Sequence, residues 1–303
     1  MRFKSRSLVL LICLAGFCFH CWAVRPNDVK YINYGVYEDT VRIRLMERCK
    51  TVPFTNVKTL REQAQTVTEF SRAQFTPEKI SKKNISVPEL VKLRRKGVLV
   101  ICMYSPPTNP LRNGTVLVGA TAIVLSKDGV CASNYHVFQS FLDKNADVSR
   151  HDSLMFAVSE DGEVYSIDKV LASNKNADAA IFRINPRGDQ LYPIPMGNDV
   201  ETGTRVHAIT HVGGTHLYYY SQGVVARTVN WDCIPWGNRT DITADYAKGS
   251  SGGPIMDDRA NLVAMVSTTH SVYFGSDETT YQSPFQMTVK STIPVSSLRR
   301  LCK

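Results

Sequence analysis

From Val98 onward the chain is cut into short apolar runs by turn residues, and that punctuation limits the fold more than any other feature of the sequence. Val98–Tyr104 stops at Pro106-Pro107. Val116–Leu125 and Val130–Tyr135 flank Ser126-Lys127-Asp128-Gly129, and Met155–Ser159 and Glu163–Ala172 flank Asp161-Gly162, so each pair reads as a hairpin. Ala179–Ile184 follows Asp178, and a Pro/Gly-rich connection over residues 185–204 leads to a second set: Val206–Thr210, His216–Tyr220, Val224–Thr228 and Leu262–Ser267. Helices need longer periodic stretches than these. The pattern predicts an all-β chain built as barrels or a sandwich.

Residues 24–97 follow a different rule. Leu60, Ala64, Val67 and Phe70 recur at helical spacing within residues 57–75. Thr76-Pro77-Glu78-Lys79 has the form of a cap and first turn, and residues 86–95 end in a basic turn before Gly97. This segment holds 16 Lys and Arg against 8 Asp and Glu, whereas residues 98–303 hold 17 against 19. The formal charge of +9 therefore belongs to a basic, partly helical leader on a slightly acidic body. A solvated leader and a leader docked on that body both fit this asymmetry. Without an aromatic-interleaved basic patch or a reader motif, nucleic acid is not an expected partner.

The first residues set the compartment. Arg2, Lys4 and Arg6 precede an apolar run that ends at Cys21-Trp22-Ala23, the pattern of an export signal over residues 1–23 cut after Ala23. The run is too short to span a membrane, and no later stretch is long and apolar enough. The expected location is exported: periplasmic, secreted or cell-surface. Of eight cysteines, Cys49, Cys102, Cys131, Cys233 and Cys302 remain after cleavage. Their spacing suits no metal site, and export permits up to two disulfides among them. No cofactor is expected, and no feature sets an oligomeric state.

Within the body, Gly249-Ser250-Ser251-Gly252-Gly253-Pro254 is suited to a sharp turn presenting one hydroxyl. A serine hydroxyl is a weak nucleophile until a base takes its proton, and imidazole suits that near neutral pH. His136 stands at the end of one strand and Asp178 at the start of another, so base, orienting acid and nucleophile occur in that order. The N–H groups of Gly249 and Ser251 are the expected oxyanion donors.

These segments resemble a family. Residues 118–129 followed by Ala132-Ser133-Asn134-Tyr135-His136-Val137 are similar to the histidine segment of trypsin-like serine peptidases, nearest in style to the bacterial Do-like (HtrA) branch. Asp178-Ala179-Ala180-Ile181 resembles the aspartate segment of that family, and residues 249–254 its serine segment. The likeness covers roughly residues 98–303. It implies a chymotrypsin-like double β-barrel with the site in the cleft between barrels, Ser251 as nucleophile, His136 as base and acid, and Asp178 as orienter. Asp245 falls where such enzymes place the floor of the specificity pocket, which would favour Lys or Arg substrates; the alternative is a solvated side chain. His270 would instead favour an acidic side chain. Ser250 departs from the family, standing where chymotrypsin-type enzymes carry an acid that pairs with a newly cut N-terminus. The expected function is an exported serine endopeptidase acting on proteins or peptides. A catalytically silent or leader-regulated binding protein on the same scaffold is the alternative, and a serine esterase fits less well because its fold requires a different residue order.

Overall fold

The computed structural model describes residues 33–109, 112–143, 152–230, 233–274 and 284–303. The proposed signal, residues 1–23, lies outside them. Twelve strands in the described residues form two closed antiparallel barrels of six strands each. The first contains β1 (Val98–Ser105), β2 (Thr115–Val124), β3 (Val130–Ser133), β4 (Leu154–Val158), β5 (Val164–Asn174) and β6 (Ala179–Ile184), in the order β1-β2-β3-β6-β5-β4. The second contains β7 (Arg205–Val212), β8 (His216–Asn230), β9 (Asn238–Ile242), β10 (Pro254–Met256), β11 (Leu262–Tyr273) and β12 (Phe285–Pro294), in the order β10-β11-β12-β9-β8-β7. This is the chymotrypsin-like double barrel.

Strand β1 is apolar throughout rather than alternating because both its faces are covered. Leu99 and Ile101 belong to one apolar cluster with Val57 and Leu60 of α2 (Val57–Ala64), while Val98, Val100 and Cys102 belong to another with Val41 and Leu45 of α1 (Tyr37–Thr51). Each such aliphatic side chain contributes about 1.5–3 kcal/mol on full burial. The leader is therefore part of the outer wall of the first barrel. It also reaches the second. Arg94, in α3 (Val87–Arg94), donates from Nε to the Ala260 carbonyl at 2.8 Å, and Ser81 and Asn261 exchange two hydrogen bonds of 2.8 and 3.0 Å. Ala73 and the chain end are joined through Leu301 and Lys303 at 2.8 Å each.

Several sequence expectations change here. The second helix stops at Ala64, and Phe70, expected on its apolar face, is 79% exposed. Thr76-Pro77-Glu78-Lys79 starts no helix, because the N–H groups of Ser81 and Ile85 bond to the 257–261 turn instead of to their own chain. Helix α1 was not expected. The two runs around Gly223 are one strand, β8, since Gly223 lies so close to the Ala244 backbone that a Cβ would sit 2.3 Å from its nitrogen. Strands β9, β10 and β12 were also missed. The five expected cysteines form no disulfide; all are free thiols.

Candidate active site

The two barrels bring three sequence-predicted residues together. His136 opens a short 3-10 turn (His136–Phe138) three residues beyond the end of β3. Its Nδ1 lies 2.9 and 3.0 Å from the two carboxylate oxygens of Asp178, and its Nε2 lies 2.9 Å from Ser251 Oγ. Asp178 enters β6 in the left-handed region, with φ of 56°. The turn is fixed by Asn134, whose amide donates to the Asp178 carbonyl at 3.0 Å, and by the His136 N–H, which donates to the carboxylate at 3.1 Å. The Asp178 side chain is 15% exposed against 41% for His136, so the carboxylate is shielded while the imidazole faces the cleft.

Ser267, on β11 of the second barrel, donates its hydroxyl to Asp178 Oδ2 at 2.7 Å. Sequence reasoning missed this residue. A serine inside an apolar strand carries no local signal, and only the closure of the barrels brings it to the acid.

The turn that carries Ser251 is built for close approach. Gly249 and Gly252 have φ of 90° and 84°. A Cβ at Gly252 would lie 2.2 Å from the Thr121 carbonyl oxygen, and one at Gly249 would lie 2.5 Å from the His211 carbonyl oxygen, so both sites need glycine. Among the described residues neither the Gly249 nor the Ser251 N–H has a backbone acceptor. Ser250 is fully buried, and its hydroxyl donates to Thr210 Oγ1 at 3.0 Å, a neutral anchor where the resemblance expected a buried acid.

A cleft of about 560 Å³ opens beside Ser251, lined on the second barrel by Tyr246, Ala247, Lys248 and the strand from Val266 to Thr269. Tyr246 is 5% exposed, and its hydroxyl lies 3.0 Å from the Thr268 carbonyl and 2.8 Å from that of Ser291, bridging β11 and β12. The ring forms part of the cleft wall. Asp245 does not line the cleft. Tyr246 takes the inward position, and the Asp245 carboxylate, 75% exposed, pairs with Lys290 Nζ at 2.8 Å. His270 is exposed further along β11, opposite Val289, and also lies outside the cleft. Among the described residues, none of the leader lines the cleft. Among the described residues no group of side chains is arranged to hold a metal ion, and no helix is long and apolar enough to cross a membrane.

Residues 120–265, which span all three assembled residues, match the family model of the trypsin-like peptidase domain. A curated relative, Protease Do-like 5, chloroplastic, of Arabidopsis thaliana, is 26% identical over 170 residues, covering 52% of this chain and 50% of that protein. The chain thus spans about half the length of the curated relative it matches. Among solved structures, the HtrA-type protease AlgW with decapeptide aligns with a TM-score of 0.53 at 18% identity, over 72% of this chain and 66% of that one. Deg5 aligns with a TM-score of 0.52 at 19% identity, over 71% of this chain and 94% of that one. At these identities the structural likeness is one of fold. Residues 120–265 therefore form a trypsin-like peptidase domain, with Do-like proteases among its relatives in sequence and fold.

Proposed function

We propose that the protein is an exported serine endopeptidase that cleaves peptide bonds through an acyl-enzyme on Ser251. The observation that carries this reading is the unbroken relay from Ser251 Oγ through His136 to Asp178, at 2.9 Å on either side of the imidazole. In it, Ser251 Oγ attacks the scissile carbonyl carbon while His136 Nε2 takes its proton. Asp178 keeps the Nδ1–H tautomer and stabilises the imidazolium. The N–H groups of Gly249 and Ser251 receive the developing oxyanion. His136 then protonates the leaving amine, and the C–N bond breaks. A water enters, gives a proton to His136 and displaces Ser251 from the acyl carbon, releasing the new carboxylate.

Substrates are extended protein or peptide segments. The Tyr246 ring favours small P1 side chains, and the removal of Asp245 from the cleft takes away the reason to expect Lys or Arg there. Residues 1–23 act as the export signal, and residues 24–97 as a leader that completes the wall of the first barrel.

Digestion of an unfolded protein by the 24–303 form and by its Ser251→Ala variant, with every cut mapped by mass spectrometry, tests the reading. Cuts after small residues that vanish in the variant are expected, with a loss on the order of 10⁶ in kcat. Cuts shared by both forms, or none by either, would reject it; cuts after Lys or Arg would reject the Tyr246 assignment alone.

A further inference from the structure

The nucleophile turn contains glycine at 249, so nothing intrinsic to that residue selects one orientation of its flanking peptides. A planar peptide aims its N–H opposite its C=O, so the oxyanion donors point into the cleft only if the carbonyls of the turn are held from behind. Each of them is. The Lys248 carbonyl accepts from Gly213 N–H at 2.7 Å, the Ser250 carbonyl from Gly253 N–H at 2.9 Å, and the Ser251 carbonyl from Thr121 N–H at 2.8 Å. These three donors are backbone groups, available to almost any sequence. The Gly249 carbonyl is held by a side chain: Thr121 Oγ1 donates to it at 3.0 Å.

Thr121 sits on β2, on the opposite barrel from the turn it grips, and is fully buried. Its hydroxyl also accepts from His211 N–H at 3.3 Å, and its carbonyl accepts from Ser133 Oγ–H at 2.8 Å. One residue thus ties the carbonyls on both sides of Ser250 to the first barrel, which also carries His136. We propose that the Thr121 hydroxyl is a positioning residue for the oxyanion hole: by gripping the Gly249 carbonyl it fixes the Gly249–Ser250 peptide, the link between the two peptides that carry the Gly249 and Ser251 N–H groups, and so keeps both donors towards the scissile carbonyl. This rests on the serine-peptidase reading above.

The test compares wild type, Thr121→Val, which keeps the side-chain shape without the hydroxyl, and Thr121→Ser, which restores it. All are assayed for cleavage of one peptide and for inhibition by the matching peptide aldehyde, whose adduct with Ser251 places an oxyanion in the hole. Loosening these donors is expected to lower kcat about tenfold with KM within about twofold, and to weaken the aldehyde by the same factor. Thr121→Ser should recover to within about threefold. Unchanged kcat and aldehyde affinity in Thr121→Val would overturn the proposal. So would a loss of kcat that follows the unfolded fraction in thermal melts while aldehyde affinity per folded molecule is kept. If Thr121→Val does not fold, Thr121→Ala removes the hydroxyl without added bulk, and the same two outcomes decide. A wild type with no Ser251-dependent cleavage overturns the peptidase reading itself, an outcome distinct from an active wild type indifferent to Thr121.

Discussion

Both His136–Asp178, on the first barrel at the cleft, and His207–Asp258, in the second barrel, are histidine–aspartate pairs, yet their surroundings diverge. His207 Nε2 lies 2.8 Å from Asp258 Oδ1, as close as His136 lies to Asp178. The far nitrogen of His136 meets a serine hydroxyl in an open cleft, whereas that of His207 meets Tyr220 Oη at 2.9 Å with the ring 1% exposed. The carboxylates differ as well. Asp178 receives a neutral hydroxyl from Ser267, while Asp258 takes two bonds from the Arg205 guanidinium, at 2.8 and 2.9 Å, and Arg205 holds its pKa below the usual carboxylate range. A histidine–aspartate contact is therefore no site by itself. What faces the second nitrogen, and what already neutralises the acid, decide whether the pair can move a proton.

The same substitution at the two acids breaks the comparison most sharply. Asp178→Asn should lower kcat by about 10⁴, because the amide fixes the wrong imidazole tautomer. Asp258→Asn should leave kcat within about twofold and cost about 1–2 kcal/mol of stability through the weakened Arg205 and His207 contacts. Steady-state rates and urea unfolding on both variants check this; equal losses of kcat would mean that the pairs do not differ as their surroundings imply.

The two pairs also mark what a sequence can disclose. His136, Asp178 and Ser251 were legible because each stands beside a turn with its own composition, and because their order suits one chemistry. His207 lies inside a strand with no such turn beside it, and Asp258, in the turn before β11, carries no local sign that it faces a histidine. Short apolar runs announced the first barrel well, since both faces of β1 are buried. The second barrel was less legible. In β9, Asn238-Arg239-Thr240-Asp241-Ile242 offers one aliphatic residue, and β12 is exposed over its first three residues. Helix α1 buries only Val41 and Leu45, a stripe too narrow to stand out among charges. Asp245 was counted to the right distance from Ser251, but the turn sends Tyr246 inward and Asp245 to Lys290.

A third histidine sharpens the contrast by having no carboxylate. His211 is fully buried, its Nδ1 accepts from Tyr218 N–H at 3.0 Å, and burial lowers its pKa from 6.5 to about 3. The unfolded chain binds this proton more readily than the folded one. The neutral histidine's contribution to stability is therefore complete above pH 6.5 and is lost as pH falls towards 3, at about 1.4 kcal/mol per pH unit. Between pH 7.5 and 4.5 the wild type should lose about a hundredfold more in its folding constant than His211→Asn, whose amide oxygen can still accept from Tyr218. Urea titrations at the two pH values measure it, and parallel losses would remove His211 as an acid-sensitive point.

The smallest expected effect concerns the neutral donor at the acid. An arginine bonded to Asp178, as Arg205 is to Asp258, would draw on the charge that the proposed mechanism uses to stabilise the His136 imidazolium. A serine orients the carboxylate and leaves that charge in place. Ser267→Ala should therefore keep the relay but loosen it, lowering kcat/KM about tenfold on a substrate with a small P1 residue. Because the Ser267 side chain also borders the cleft, the loss should fall mainly on kcat, and product-peptide inhibition should stay within about twofold. A change confined to KM would mean that Ser267 acts on the substrate rather than on Asp178. The two histidine–aspartate pairs would then differ through His136 alone.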